Sequence, residues 1–265
     1  MNSAVKYLEK ECGDIMKIIK TPAKRFTAES FHELRLGAKK ITALSQIAKF
    51  HFERFHKDKY LRALKQLFKQ AGKVRELQLE IDYLKNETKN NLPHFLSVLE
   101  KNLETEQRIF FSLKRKYQDI FLKPPELLIR YLKRLAKKDF ENYLQTKNKE
   151  LIEDAKATSL SDKKLHALRK GIKSISYIRK SARLKRMEYA LLVDSENIAE
   201  ILGKWHDTKI ILKQFEVALD SELILPSEKA KITRLIARFK RKAKVEFQKA
   251  IDAVSAVVSE SLTRK

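Results

Sequence analysis

Apolar residues recur at helical spacing along almost the whole chain. One such stripe contains Leu61, Leu64, Leu67 and Phe68, which lie on one face of an α-helix. No Val/Ile/Thr-rich alternating segment indicates a strand, and the five prolines fall between the periodic stretches, where they can end or open helices. The pattern therefore predicts an all-α fold, with helices at about 2–20, 28–56, 59–71, 74–89, 92–122, 126–157, 162–187, 190–202, 206–220 and 227–262.

Two helical segments repeat each other. Residues 31–41 and 165–175 agree at 6 of 11 positions at an offset of 134, and both copies contain His, Arg, Gly and Lys at matching places. Thr27 and Ser161 precede the two histidines by five residues, so each is predicted to cap its helix. This similarity indicates that the chain is a duplicated helical unit.

A second pair of segments strengthens the duplication. Residues 71–76 align with residues 202–207 at an offset of 131, and each segment begins with an apolar residue followed by Gly-Lys. The Pro124-Pro125 step then divides the chain near its midpoint. We expect two pseudo-symmetric helical bundles, one from residues 1–123 and one from residues 124–265, that together form one domain.

The overall charge of the chain indicates what kind of partner it binds. The 265 residues carry a formal net charge of +24, and the sequence pI is about 9.9. A surface this basic repels itself, so a polyanionic partner is the first hypothesis. The single cysteine, Cys12, excludes an intramolecular disulfide. Neither a membrane-spanning segment nor a secretory signal is visible, so the cytoplasm is the expected location.

The repeated segments carry the candidate binding residues. In the first copy His32, Arg35 and Lys39 lie at i, i+3 and i+7, a stripe about 60° wide on the helix, and Lys40 follows directly. Like charges at this spacing weaken an isolated helix, and an anion bound to the face would neutralise them. The duplication makes an ordinary solvated face the weaker explanation. In the second copy, the same stripe contains His166, Arg169, Lys170, Lys173, Tyr177 and Lys180.

Glycine marks the opposite side of both stripes. Gly37 and Gly171 lie about 140° from the histidines, where a glycine inside a helix costs about 1 kcal/mol relative to alanine. We therefore expect another helix to pack closely behind each stripe. Together these features predict two cationic helices that face a shared basic groove.

A further basic stripe leads toward the second repeated segment. It contains Arg62, Lys65 and Lys69 and runs into Gly72-Lys73, which the second copy repeats as Gly203-Lys204. Each glycine is predicted to end a helix. The next helix would then offer free backbone N–H groups at its N-terminus, which can bind a phosphate. Two interpretations of the following acids, Glu76 and Asp207, remain open: they hold neighbouring cations, or they complement the helix dipole as first-turn residues.

Catalytic and metal-binding signals are weak. The chain has no P-loop, no G-x-S-x-G, no H-E-x-x-H and no clustered carboxylates for Mg²⁺. Cations surround His32 and His166, which disfavours a divalent metal there. Trp205 and the phenylalanines are expected in the core. We therefore expect no enzyme activity, no metal and no cofactor.

The paired motifs resemble the CHAD family, named for a conserved histidine α-helical domain. The resemblance rests on the segments that begin at His32 and His166, each followed by a Gly-containing segment with an acidic residue, and it covers essentially the whole chain. It implies pseudo-symmetric helical bundles, a basic central groove, binding of inorganic polyphosphate, and association with polyphosphate granules rather than catalysis. One departure is Leu36, which stands where the second copy has Lys170. Sequence-independent binding of nucleic acid is the alternative.

Overall fold

The computed structural model describes residues 3–55, 59–88, 92–156, 160–184, 195–220 and 224–263. Within these ranges the chain is helical, with two short 3₁₀ helices at Ala23–Arg25 and Gln118–Leu122 and no strand. The predicted all-α fold is therefore confirmed. The α-helices are α1 (Ser3–Lys20), α2 (Ala28–His51), α3 (Lys59–Thr88), α4 (Pro93–Tyr117), α5 (Glu126–Lys133), α6 (Lys137–Ala155), α7 (Asp162–Ser181), α8 (Ser195–Leu219) and α9 (Pro226–Thr263).

The two histidine helices begin at the predicted caps. The Thr27 side chain accepts a hydrogen bond from the backbone N–H of Ser30 at 3.2 Å, which opens α2. Ser161 Oγ accepts from the backbone N–H of Lys164 at 3.4 Å, which opens α7. These bonds satisfy backbone donors that have no partner inside the helix. Both predicted caps are confirmed.

The predicted breaks at Gly72 and Gly203 are wrong. Both glycines lie inside continuous helices, α3 and α8, so neither is followed by a helix N-terminus that could seat a phosphate. Helix propensity is a weak constraint that tertiary packing overrides, and one interior glycine costs only about 1 kcal/mol. The predicted helix boundaries at residues 71–74 and 202–206 disappear for this reason.

Other boundaries also shift. The helix predicted at 126–157 is two helices, because Asp139 Oδ2 accepts a 2.7 Å hydrogen bond from the N–H of Ala136 and opens α6 there. Helix α4 gives way to a 3₁₀ helix after Tyr117. Helices α2 and α7 end at His51 and Ser181, before the predicted ends at residues 56 and 187. Residues 190–194 of the helix predicted at 190–202 lie outside the described residues. Trp205 is buried, with 2% exposed, as its predicted core role requires.

Each histidine helix has another helix behind its glycine. A Cβ on Gly37 would lie 3.2 Å from Cγ1 of Ile15 in α1, and a Cβ on Gly171 would overlap Leu151 of α6. Close packing behind both stripes is confirmed. Among the described helices, α1–α4 and α6–α9 thus show the same order, a backing helix, a histidine helix and two long helices, while α5 has no counterpart in the first half. This order supports the duplication, which stays a prediction.

The hydrophobic cores do not follow the boundary between the halves. The larger cluster joins side chains of both halves, such as Phe31 and Leu44 with Leu165 and Ile172. A second cluster joins the C-terminal parts of α3 and α8 to the N-terminal parts of α4 and α9. Residues of both halves therefore share each core, and the division at residues 123 and 124 stays a prediction. In the described part of the chain, no helix is long and apolar enough to cross a membrane.

A buried carboxylate of α9 caps the N-terminus of α4. Helix α4 begins at Pro93 without a side-chain cap of its own. The Glu228 carboxylate of α9 instead accepts hydrogen bonds from the backbone N–H groups of His94 at 2.9 Å and Phe95 at 3.1 Å. Glu228 is 4% exposed. It satisfies the free donors of α4 and places a negative charge at the positive end of that helix.

We expect Glu228→Ala to lower the free energy of unfolding by about 2 kcal/mol, because two charge-assisted bonds are lost and a buried N–H is left without a partner. Urea denaturation measures the change. The control is Glu153→Ala, which removes an exposed carboxylate paired with Lys156 and should cost about 0.5 kcal/mol or less. Equal effects of the two variants would contradict the capping role.

Candidate anion-binding cluster

Four cations of the two histidine helices, two on α2 and two on α7, lie close enough to affect one another. Burial, together with the charges of Arg35, Lys173 and Arg169, lowers the pKa of Lys39 to about 8. Lys39 on α2 thus shares its surroundings with two cations on α7. We call Arg35, Lys39, Arg169 and Lys173 the cationic cluster. At these four positions, cations of the two predicted stripes interact, and the shared groove stays a prediction.

The cluster is held by contacts between its helices. Ser174 Oγ of α7 lies 2.7 Å from Oε1 of Gln46 in α2, a hydrogen bond that the serine donates. Burial is also the main cause that lowers the pKa of Lys173, with a further contribution from Arg169. All four cluster side chains are half-buried. Partial removal from water, added to mutual repulsion, destabilises the charged form of the amines.

Arg35 has a defined seat on α3. Its Nη1 donates a 3.1 Å hydrogen bond to the backbone carbonyl of Phe68, and its guanidinium lies 4.6 Å from the centre of the Phe68 ring. A Cβ on Gly72 would overlap Arg35 Nη1. Gly72 is therefore the space that lets the guanidinium lie flat against the helix. Burial lowers the pKa of Arg35, which the carboxylate of Glu76 opposes.

The second half lacks this seat. Ala199 aligns with Phe68 at the offset of 131, and a Cβ on Gly203 would meet no atom within 4 Å. Arg169 Nε is buried and has no hydrogen-bond partner among the described residues. The two arginines of the cluster are thus unequal: Arg35 is held by protein atoms, whereas Arg169 keeps an unused donor. A bound anion would supply the missing acceptor.

Two acids balance part of the positive charge. Glu76 acts on Arg35, and Asp207 raises the pKa of both Lys39 and Lys173 against the effect of burial. Both acids lie in mid-helix, so the alternative that they complement a helix dipole as first-turn residues is wrong. The interpretation that they hold neighbouring cations agrees with the structure. Two carboxylates against four cations leave the cluster with excess positive charge.

The histidines differ between the halves. The rings of His166 and His206 are stacked, with centroids 4.8 Å apart and planes 20° apart, while His32 is exposed on α2. Burial lowers the pKa of His166, and His206, Lys170 and Arg169 add to this effect. Sequence reasoning did not include His206 or its aligned partner Arg75 among the binding residues. Their aligned positions in the repeat were the available signal.

Three predicted lysines are neutralised by acids. Lys40 Nζ lies 2.8 Å from Oε1 of buried Glu11 on α1, so its charge neutralises that carboxylate and does not add to the cluster. Lys204 pairs with Glu200 at 2.8 Å, and Lys73 pairs with a carboxylate of α4 at 3.4 Å. The structure thus places these three outside the excess charge of the cluster.

The remaining predicted residues flank the cluster. Tyr177 is half-buried on α7, and burial raises its pKa while the charge of Arg169 lowers it. Lys170 and Lys180 are exposed on the same helix. Within the described chain, no group of three or more His, Cys, Asp or Glu side chains is arranged to hold a metal ion. The predicted residues Arg62, Lys65 and Lys69 are exposed on α3.

The aligned glycines provide a test of the Arg35 seat. We expect Gly203→Ala to raise the free energy of unfolding by about 0.5–1 kcal/mol, because alanine favours the helix and the space around it is open. Gly72→Ala should give no such gain, since its methyl group displaces Arg35 and removes a bond of about 1 kcal/mol. Thermal and urea denaturation compare the pair. The same gain in both variants would contradict the seat.

The comparisons with known proteins agree with this architecture. The model of the CHAD domain matches residues 20–209, a range that contains the cluster and both repeated segments. The chain is similar to the crystal structure of the CHAD domain from the plant Ricinus communis, with a TM-score of 0.73 and 14% identity over 97% of this chain and 88% of that one. A search of curated proteins gave no match. This chain belongs to the CHAD domain family.

Proposed function

We propose that the protein binds inorganic polyphosphate at the cationic cluster of α2 and α7, in a groove flanked by α3 and α8. The excess positive charge of the half-buried cationic cluster carries the proposal. Bringing like charges together in a partly dry site costs free energy in the absence of a ligand. A polyanion supplies the opposite charge and turns this cost into binding free energy.

The cluster residues have different roles in the proposal. Arg35 and Arg169 offer planar donors that fit phosphate oxygens in pairs, whereas Lys39 and Lys173 act as mobile point charges. His32 and His166 donate hydrogen bonds from the ends of the stripes. The protein holds the chain without cleaving it. Following the family resemblance, we propose that it acts in the cytoplasm, on polyphosphate granules.

The half-burial of the cluster favours a thin phosphate chain over a nucleic acid duplex. The four cations are half-buried, so a ligand must fit close to the surface of α2 and α7 to reach all four. A linear phosphate chain is thin enough for this approach, whereas the bases and sugars of a duplex add bulk. Competition between polyphosphate and duplex DNA at equal phosphate concentration separates the two ligands. If DNA competes equally well, nucleic acid binding becomes the better explanation.

We expect Arg35→Glu plus Arg169→Glu to weaken polyphosphate binding by more than about 100-fold, because two charge-assisted contacts of about 1.5–3 kcal/mol each are lost. Titration with long-chain polyphosphate at fixed salt measures it, and circular dichroism checks that helicity is kept. The matched control is Arg108→Glu plus Arg115→Glu, which makes the same charge change at exposed positions of α4. Equal losses in both variants would remove the arginines from the site.

Binding should also weaken as the pH rises from 7 to 9. The pKa of Lys39 is about 8 in the free protein, so the amine loses its proton in this window and the bound anion must restore it. The affinity for long-chain polyphosphate should fall about tenfold. Lys39→Arg keeps its charge throughout and should remove most of this dependence. An unchanged pH profile in Lys39→Arg would show that another group is responsible.

A further inference from the structure

A row of cations on α3 begins beside the cluster and leads away from it. Lys69 and Lys65 lie three and seven residues before Gly72, over which Arg35 is seated, and the exposed Arg62 follows one turn further. At 100° per residue, Lys65 and Lys69 fall within about 60° of Gly72 on the same side of the helix. We call Arg62, Lys65 and Lys69 the α3 row. Its far end, Arg62, lies about 15 Å from Gly72 along the helix axis at 1.5 Å per residue.

The matching positions of α8 do not carry this charge. At the offset of 131, Glu200 stands where α3 has Lys69, and Glu196 stands where it has Lys65. Lys204 of α8 aligns with Lys73 of α3, and its Nζ lies 2.8 Å from a carboxylate oxygen of Glu200. The two walls of the groove are therefore unequal. Exposed cations continue from the cluster along α3, whereas Lys204 on α8 is paired with Glu200.

This inequality bears on how ligands of different length would bind. A triphosphate is long enough to neutralise part of the cluster but too short to cover it and reach Arg62 as well. A long chain must leave the cluster, and its remaining phosphates gain contacts where exposed cations continue. Glu200 opposes the corresponding route along α8. The exposed cations of α3 are thus available to a long ligand but not to a short one, and α8 offers no equivalent.

We propose that the α3 row is a second subsite, used only by linear phosphate chains too long for the cationic cluster, and that such chains leave the groove along α3 rather than along α8. This inference rests on the proposed function. It adds the direction of the bound chain and the origin of a preference for long ligands.

The test compares two ligands, tripolyphosphate and long-chain polyphosphate, by titration at several salt concentrations. For Lys65→Gln plus Lys69→Gln, we expect long-chain affinity to fall about tenfold at low salt and the log–log salt slope to shrink by about 1.5. Tripolyphosphate affinity should stay within about twofold. The control, Lys6→Gln plus Lys10→Gln, removes the same charge at the same spacing from exposed positions of α1, the helix behind α2. It should leave both affinities within about twofold.

Three results would overturn the inference. Equal losses for both ligands would place the lysines in the cluster itself, and no loss for the long chain would show that it does not follow α3. An equal loss in the α1 control would reduce the effect to overall charge. In each case the wild-type protein still binds polyphosphate, whereas failure of the proposed function appears as a wild-type protein that binds neither ligand.

A substitution on α8 tests the same inference in the opposite direction. Glu200→Lys gives α8 the residue that α3 has at Lys69 and releases Lys204 from its ion pair. Because a second row of charge then continues from the cluster, long-chain affinity should rise about tenfold and tripolyphosphate affinity should stay within about twofold. An equal rise for both ligands, or none for the long chain, would contradict the role given to Glu200.

Discussion

Repulsion among four half-buried cations is the constraint around which the rest of this protein is arranged. The groups would move apart into water if their helices were free to separate, because both desolvation and like charge oppose them. Packing prevents this movement: Ile15 lies against Gly37, Leu151 lies against Gly171, and one core contains side chains of both halves. Hydrophobic burial thus supplies the free energy that keeps an unfavourable charge arrangement in place. The proposed polyanion would relieve this repulsion without a rearrangement of the two helices.

The two halves contribute to this arrangement in different ways. The first half holds Arg35 against Phe68 and Gly72, and its α3 wall is basic. The second half leaves Arg169 Nε without a partner among the described residues, stacks His166 on His206, and places Glu200 on the α8 wall. The two arginines of the cluster therefore differ in how they are held. Protein atoms fix Arg35, whereas one donor of Arg169 is left unpaired in the described structure.

Prediction from sequence succeeded where the signal was local or repeated. Helical periodicity identified the all-α class, and Thr27 and Ser161 identified two helix starts. The shared Arg and Lys identified side chains of α2 and α7 that interact. It failed at Gly72, because a glycine inside a helix and a glycine after a helix have the same local sequence. Only the side chain that occupies the space above the glycine separates the two cases, and Arg35 is 37 residues away.

The sequence by itself determined the composition of the molecule: helices with apolar stripes, a large positive charge and two copies of one motif. Periodicity, composition and repetition are properties of neighbouring residues, so they can be read without coordinates. The tertiary structure decided which cations remain in excess. Lys40, Lys73 and Lys204 have the same charge as Lys39 and Lys173, yet each pairs with an acid that its own surroundings bring close. Whether a charge is balanced depends on what folding places beside it, and sequence spacing does not contain that information.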